Sequence, residues 1–197
     1  MPDMAAYPKG FPHHHYTLEE YFALEHVGEA RYEYWDGDIL CMSGGTERHY
    51  TISENLRTLL PQALQGRNCL TYSGGVPIQT PSLPPYRYPD ASVVCGKPVF
   101  VNINGIDVLT NPIVIIEVLS PGTERLDKEA KRYAYQKIAS VKEYLIVAQD
   151  APHITQYHRQ GRRWVRQDFG DLKASLEITS INAQVLLGDI YVGITFD

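Results

Sequence analysis

The stretch PIVIIEVLSPGTERLDKEAKRYAYQ, Pro112 to Gln136, places a carboxylate in the middle of an otherwise apolar segment. Residues Ile113 to Leu119 have the character of a buried strand, yet Glu117 interrupts them. Burying a glutamate without a partner costs several kcal/mol or forces the group to neutralise itself. The sequence therefore predicts that a cationic group lies close to Glu117.

Alternation along this segment places Glu117 on the same strand face as Ile115 and Leu119, while Val118 faces the other way. Both faces are apolar, which is typical of a central strand that is covered on both sides. Glu117 also lies near the carboxyl end of the strand, where ligand sites gather in open α/β sheets. The pattern favours a functional position for this acid.

The segment that follows predicts a helix over residues 125–138. Asp127, Lys131 and Tyr135 lie at positions i, i+4 and i+8, so they share one stripe of that helix. The helix comes directly after the strand, and it can therefore bring Lys131 to Glu117. Lys131 is the predicted cation.

A second carboxylate, Asp90, follows Pro89 at the start of the segment PDASVV. Proline restricts the backbone before it to extended conformations, so Asp90 begins a strand in a defined direction. Two carboxylates at neighbouring strand ends, with a lysine beside them, can hold Mg²⁺ and orient a water molecule. These groups suit metal-assisted hydrolysis of a phosphodiester.

The rest of the chain predicts an α/β fold with a mixed central sheet flanked by helices. Thr17 and Glu20 form a capping-box pattern before a short helix, and Asp36-Gly37 is a hairpin turn signal. Apolar positions at helical spacing predict a second helix over residues 46–64. The strand, helix and strand between Ile113 and Val147 form a crossover, which requires parallel pairing.

Length and composition limit the number of domains and the classes of protein to which the chain can belong. The chain has 197 residues, of which 44% are hydrophobic, so we expect a flexible arm over residues 1–16 and one domain over residues 17–197. No segment approaches the ~20 apolar residues of a membrane span, and we expect a cytoplasmic protein.

Cys41, Cys69 and Cys95 are widely spaced, which favours reduced, mostly buried thiols over metal ligands. A net charge of −5 argues against bulk coating of nucleic acid.

Several of these segments together resemble a known family. The segments YPD, IVIIEVLSP and DKEAKRYAYQKIASVKEYLIV, in this order, resemble a large bacterial family of restriction endonucleases within the PD-(D/E)XK nuclease superfamily, long labelled a domain of unknown function. The likeness runs from TLEEYFAL and YEYWDGDI to GDIYVGITF. Each motif is weak alone, whereas their order and spacing are specific.

This resemblance implies a restriction-endonuclease-like fold, a Mg²⁺ cofactor that Mn²⁺ can replace, and a nucleic-acid substrate, DNA in particular. It implies that Asp90 and Glu117 bind the metal. The superfamily lysine, two positions after the acid, is replaced here by Leu119; Lys131 matches it best within the next helix, and Lys128 second. The remaining residues that the resemblance draws into the site are Glu33, as a further acid, and His49, as a donor or proton carrier. A homodimer is expected by analogy.

Each candidate residue also has a structural interpretation. Glu117 could pair with an arginine, Asp90 could shape a turn, and Lys131 could pair only with Asp127. His49 could be a core histidine, and Glu33 could face solvent. Arginines around the late hairpin could contact phosphate or lie at a solvated hairpin tip; they are Arg159, Arg162, Arg163 and Arg166. The alternatives to a nuclease are a catalytically silent DNA-binding or scaffold domain and a hydrolase of smaller phosphoesters.

Overall fold

The structure is a computed structural model that describes residues 14–27, 31–42, 45–120, 124 and 127–196. The chain divides into two compact units, Met1–Ser43 and Gly44–Asp197. The boundary predicted at residue 17 therefore falls inside the first unit. Most of the predicted arm lies outside the described residues. Near its end, the side chain of His14 makes a hydrogen bond, in which its Nε2 lies 3.1 Å from Oε1 of Glu20.

The first unit consists of one helix and one hairpin: α1 (Leu18–Val27), β1 (Tyr32–Trp35) and β2 (Asp38–Cys41). The predicted capping box is present, because the Thr17 amide donates to Glu20 Oε2 at 2.7 Å and the Glu20 amide donates back to Thr17 Oγ1 at 3.2 Å. The hairpin turns at Asp36 and Gly37, whose φ values of 46° and 94° match a turn that needs two left-handed residues.

The second unit holds the remaining elements. Its strands are β3 (Cys69–Ser73), β4 (Ile78–Gln79), β5 (Tyr86–Arg87), β6 (Ala91–Cys95), β7 (Phe100–Ile103), β8 (Ile106–Leu109), β9 (Val114–Val118), β10 (Glu143–Val147), β11 (Ile154–Gln160), β12 (Arg163–Phe169), β13 (Ser175–Ile178) and β14 (Ala183–Leu186). Its helices are α2 (Glu47–Ala63), a π-helix (Asp127–Lys131) that continues into α3 (Arg132–Gln136), a 3₁₀ turn (Thr179–Ile181) and α4 (Leu187–Ile190). No helix in the described ranges is both long and apolar enough to cross a bilayer.

Six strands of the described chain form the central sheet, in the order β12-β11-β10-β9-β6-β3. β9 and β10 run parallel and the other neighbours run antiparallel. The parallel pair is joined by the π-helix and α3, as the predicted crossover requires. The mixed α/β sheet is thus confirmed, with β9, which carries Glu117, in its interior.

Alternate residues of β9 supply two separate apolar cores, one on each face of the sheet. Val114, Ile116 and Val118 pack with the apolar stripe of α2 in one core. Ile115 packs with Tyr135 of α3 and with other buried residues in the second core. Every residue of β9 is buried, so the prediction of a strand covered on both faces is correct.

The helix after β9 departs from the prediction. A regular helix was expected over residues 125–138, whereas the described part begins as a π-helix at Asp127 and becomes α-helical at Arg132. A π-turn holds more residues than an α-turn and is frequently found at functional sites. Periodicity over so short a segment does not distinguish the two.

The prediction of reduced, mostly buried cysteines is wrong, although Cys41 is a free thiol. Cys69 and Cys95 form a disulfide, because pairing of β3 with β6 places them directly opposite each other. Both are half-buried, and Cys41 is exposed. The wide sequence spacing hid a pairing that only the sheet register creates.

A hairpin that the sequence analysis did not predict joins β7 to β8. Its turn residues Asn104 and Gly105 have φ values of 47° and 81°, the same left-handed combination as the turn at Asp36 and Gly37. Asn-Gly is a strong hairpin signal. This element was therefore predictable from the sequence.

Candidate active site

Asp90 lies at the end of the sheet where β6 begins and β9 ends. Its Oδ2 accepts a 2.6 Å hydrogen bond from the backbone amide of Val118. The antiparallel register pairs Ala91 with Ile116, so one step further along the ladder Asp90 comes opposite Glu117. The structure therefore brings both predicted metal-binding acids to the same end of the sheet.

Glu117 is almost completely buried, with 2% of its surface exposed. Its Oε1 accepts a 3.0 Å hydrogen bond from the Tyr135 hydroxyl and lies 3.3 Å from the Nζ of Lys131. Both partners come from the helix that follows the strand, as the stripe in the sequence predicts. A buried carboxylate that receives a cation and a hydroxyl donor is stabilised in its charged form.

Lys131 contacts two carboxylates. Its Nζ lies 3.0 Å from Oδ1 of Asp127 as well as 3.3 Å from Glu117, and its side chain is 1% exposed. The Tyr144 hydroxyl closes this cluster by donating to the backbone carbonyl of Asp127 at 2.9 Å. Burial raises the pKa of Tyr144 well above its usual value, and the negative charges of Glu117 and Asp127 add to that effect. Tyr144 is thus a neutral donor.

Lys128, the second candidate for the site lysine, has a different environment. Its ammonium group pairs with Glu124, four residues earlier, and half of its side chain is exposed. Of the two lysines, Lys131 is the one that contacts Glu117.

His49 is placed beside Asp90 by the first turn of α2. Thr46 caps this helix by accepting a 3.1 Å hydrogen bond from the His49 amide, which fixes where the helix begins. The His49 Nε2 lies 3.4 Å from Oδ1 of Asp90. The hydrogen bond to Asp90 raises the pKa of His49, assisted by the negative charge of Asp90 and opposed by partial burial. His49 Nδ1 is buried without a hydrogen-bond partner among the described residues.

Glu33 belongs to the first unit, whereas the other candidate residues belong to the second. It lies on β1, is 1% exposed, and accepts a 3.2 Å hydrogen bond from the Trp35 indole nitrogen. The alternative that Glu33 faces solvent is therefore wrong.

Asp127 and Tyr135 were not predicted as site residues, although both contact the candidate cluster directly. The available signal was the stripe itself, because residues at i and i+8 should face the same neighbour as the lysine between them. Tyr144 carried no comparable signal, since its role depends on the parallel pairing of β9 with β10.

The arginines of the late hairpin divide into two kinds. The Arg159 guanidinium donates to the carbonyl of Gln136 and to that of Ala139 at the end of α3. Arg166 binds Asp168 through Nε at 2.9 Å. These two arginines make intramolecular contacts, whereas Arg162 and Arg163 are exposed at the hairpin tip.

The donor set of Asp90 and Glu117 fits a hard divalent cation. Mg²⁺ prefers oxygen ligands and is usually held by one or two carboxylates, with water and substrate phosphate at the remaining positions. The described residues contain no group of three or more His, Cys, Asp or Glu side chains arranged to hold a metal ion. Asp90 and Glu117 would be the two carboxylates of such a site.

Comparison with known proteins gives one family and one fold. A family model described as "Putative restriction endonuclease" matches residues 18–186. Two uncharacterized proteins of Synechocystis sp. are similar: one is 30% identical over 194 residues, covering 98% of this chain and 100% of that protein; the other is 28% identical over 164 residues, covering 83% and 92%.

A solved structure is also similar. The crystal structure of "a putative nuclease belonging to DUF820" from Anabaena variabilis matches with a TM-score of 0.66 and 16% identity, covering 84% of this chain and 92% of that chain. At that identity the match shows the fold alone, and it confirms the predicted restriction-endonuclease-like architecture.

Proposed function

This chain belongs to the family described as "Putative restriction endonuclease", and from that premise we propose that it is a Mg²⁺-dependent endonuclease. Its site would consist of Asp90, Glu117 and Lys131, and its reaction would be hydrolysis of phosphodiester bonds in nucleic acid, DNA in particular. Membership of the family and the nuclease-like fold support a nuclease-like function in general. The metal, the substrate and the site residues are our proposal.

One observation carries the proposal. Glu117, on the interior strand β9, forms an ion pair at 3.3 Å with Lys131 of the π-helix, at the same sheet end as Asp90. A structural acid could lie anywhere along a strand, whereas acids gathered at strand ends are in the position of ligand sites in open sheets.

Asp90 and Glu117 are the residues that would hold the cation. When bound, Mg²⁺ would polarise the phosphate and lower the pKa of the attacking water. The Val118 amide orients one oxygen of Asp90, and the Tyr135 hydroxyl orients one oxygen of Glu117. Lys131 holds Glu117 in place by direct contact, which is the role of a positioning residue.

His49 and Glu33 enter the proposal on the family resemblance. His49 contacts Asp90 at 3.4 Å, and its raised pKa increases the protonated fraction near neutral pH, which suits a proton carrier to a leaving oxygen. On that resemblance, Glu33 stays a prediction as a further acid. A homodimer, which would let two sites cut two strands, is proposed by analogy with the fold.

The test is cleavage by the purified wild-type chain. Supercoiled plasmid, linear oligonucleotide DNA and RNA are each incubated with Mg²⁺, with Mn²⁺ or with EDTA, and sedimentation of the same sample measures its oligomeric state. We expect cutting with either ion and none with EDTA. Cutting that persists in EDTA would contradict the metal dependence, and no cutting of any substrate by folded protein would contradict the nuclease.

A specific observation favours a second candidate, a catalytically silent nucleic-acid-binding domain. Glu117 and Lys131 are 2% and 1% exposed, which is typical of an ion pair that belongs to the interior of the fold. In this candidate the ion pair stabilises the fold. A gel-shift measurement on the same Mg²⁺ incubations separates the two, because a silent domain binds nucleic acid without cutting it.

A further inference from the structure

A groove of about 500 Å³ opens beside Asp90, between helix α2 and strand β3. Asp90 and His49 lie at one end of it, and Leu60 and Pro61 of α2 line it further along the helix. Thirteen described residues line the groove, and they include side chains of the proposed site. The groove therefore leads away from that site along one wall of the second unit.

The α2 wall is long. The lining residues of this helix extend from His49 to Pro61, and at 1.5 Å per residue they span about 18 Å. Ser53 and Arg57 lie between these ends. The groove is thus an elongated channel, with Asp90 at one end.

The β3 wall presents hydroxyl groups. Pairing of Ser73 with Ala91 and of Thr71 with Val93 places both hydroxyl residues on the sheet face that α2 covers. β3 is also the last strand of the central sheet in the described chain. Edge strands leave backbone N–H and C=O groups on one side without a strand partner. Both side chains and backbone of this wall can therefore make hydrogen bonds.

Two features of the α2 wall indicate a ligand. The Ser53 hydroxyl oxygen is buried and has no hydrogen-bond partner among the described residues. A buried hydroxyl costs free energy unless a ligand or a water molecule makes a hydrogen bond with it. The Tyr50 ring is 53% exposed, and its hydroxyl accepts a 2.7 Å hydrogen bond from the Gly45 amide. That bond holds an exposed aromatic ring at the mouth of the groove.

Charges of both signs line this surface, because Asp90 and Glu54 are acidic and His49 and Arg57 are basic. The one arginine lining the groove, Arg57, is bonded through Nε to Glu54 at 2.8 Å. Hydroxyl groups and backbone amides contact the phosphates and sugars of nucleic acids, and exposed aromatic rings stack on their bases. The chemistry of the groove matches a polynucleotide held by hydrogen bonds and stacking.

We propose that this groove holds a single strand of nucleic acid, so that the substrate is single-stranded or locally unpaired. The inference rests on the proposed function, because it places the scissile phosphate at Asp90. A volume of about 500 Å³ lies in the range of small-ligand sites, and a double helix, whose major groove alone is about 12 Å wide, does not enter it.

The test measures binding separately from cleavage. Fluorescence anisotropy in EDTA compares labelled oligothymidylate, oligouridylate and a DNA duplex on wild type, Ser53→Leu and Tyr50→Ala. Ser53→Leu fills the groove and Tyr50→Ala removes the stacking ring. Thr58→Leu is the matched control, since Thr58 lies exposed on α2 outside the groove lining. Circular dichroism checks the fold of each variant, and Tyr50→Ala keeps the test decisive if Ser53→Leu misfolds.

We expect the wild type to bind a single strand about tenfold or more tighter than the duplex, and each groove variant to lose about tenfold. Thr58→Leu should bind like wild type. The DNA and RNA strands show which sugar is preferred. Duplex binding equal to strand binding, no binding at all, or groove variants that bind like wild type would overturn the inference.

Two further measurements, competition by thymidine monophosphate and cleavage of strands and duplex, separate the remaining alternatives. Thymidine monophosphate that competes as well as the oligonucleotide would overturn the strand inference in favour of a small phosphoester. Because binding is measured without metal, a wild type that binds strands but never cuts contradicts only the proposed function. A wild type that cuts duplex while the groove variants cut equally well contradicts only the inference.

Discussion

The Nζ of Lys131 lies 3.3 Å from Oε1 of Glu117, and both side chains are buried. This contact explains how an apolar interior strand can carry a carboxylate. The lysine comes from the helix that follows the strand, and it also contacts Asp127 at 3.0 Å. A buried pair of this kind can contribute less stability than an apolar replacement of both partners, whereas removing one partner is strongly destabilising. Its position at a sheet end is the reason to assign it a function.

Replacing Lys131 with methionine should lower the free energy of unfolding by about 3–5 kcal/mol, because the change leaves buried carboxylates without their cation. Urea denaturation measures this loss. Lys128→Met is the matched control: it breaks an exposed pair with Glu124, and the loss should be about 0.5 kcal/mol. Equal losses in the two variants would show that Lys131 does not stabilise the buried acids.

Tyr135→Phe should reduce stability by about 1–3 kcal/mol, because Glu117 loses a buried hydroxyl donor while the ring that packs in the core remains. The same variant should slow cleavage, since Glu117 is less well oriented. Tyr133→Phe, on the exposed side of α3 at 62% exposure, should leave both properties unchanged. If the Tyr135→Phe variant is as stable as the wild type, the Tyr135 hydroxyl makes no net contribution to the free energy of unfolding.

The pKa of His49 should lie above that of a free histidine when it is measured by NMR titration in chelator, because Asp90 favours the protonated form. Since the folded-state pKa exceeds the unfolded value near 6.5, the pair contributes stability that is fully present below about pH 6.5. That contribution is lost as the pH rises through the raised pKa. Asp90→Asn should lower the pKa of His49, and Asp168→Asn should not.

A pKa of His49 at or below the free value would show that burial outweighs Asp90. Stability of the Asp90→Asn variant should also vary less with pH above 6.5 than that of the wild type. An identical pH profile would assign the wild-type dependence to other groups.

Local patterns predicted much of this fold. The capping box at Thr17 and Glu20 needs only residues three apart, and the turn at Asp36 and Gly37 needs only two left-handed residues. The alternation around Glu117 predicted an interior strand because both of its faces are apolar. In each case the decisive interactions lie close together in sequence or repeat with a fixed period.

Local patterns did not predict contacts between residues that are far apart in the sequence. The Cys69–Cys95 disulfide depends on the register of β3 against β6, which no local signal specifies. The contact of His49 with Asp90 depends on how α2 packs at the sheet end, and the family resemblance, not periodicity, drew His49 into the candidate site. Asp127 and Tyr135 could have been included, because they share the stripe of Lys131.

Cleavage of plasmid and oligonucleotide DNA with Mg²⁺, on wild type, Glu117→Gln and Glu143→Gln in parallel, distinguishes a catalytic Glu117 from a structural one. Glu143 is the matched control, because it is also a buried acid on an interior strand, and it accepts from Gln156 Nε2 at 2.7 Å and the Ser180 amide at 2.7 Å. We predict that Glu117→Gln lowers the cleavage rate by about 100-fold or more, while folded Glu143→Gln cuts like wild type. Equal rates in wild type and folded Glu117→Gln, or no cutting by the folded wild type, would contradict the account.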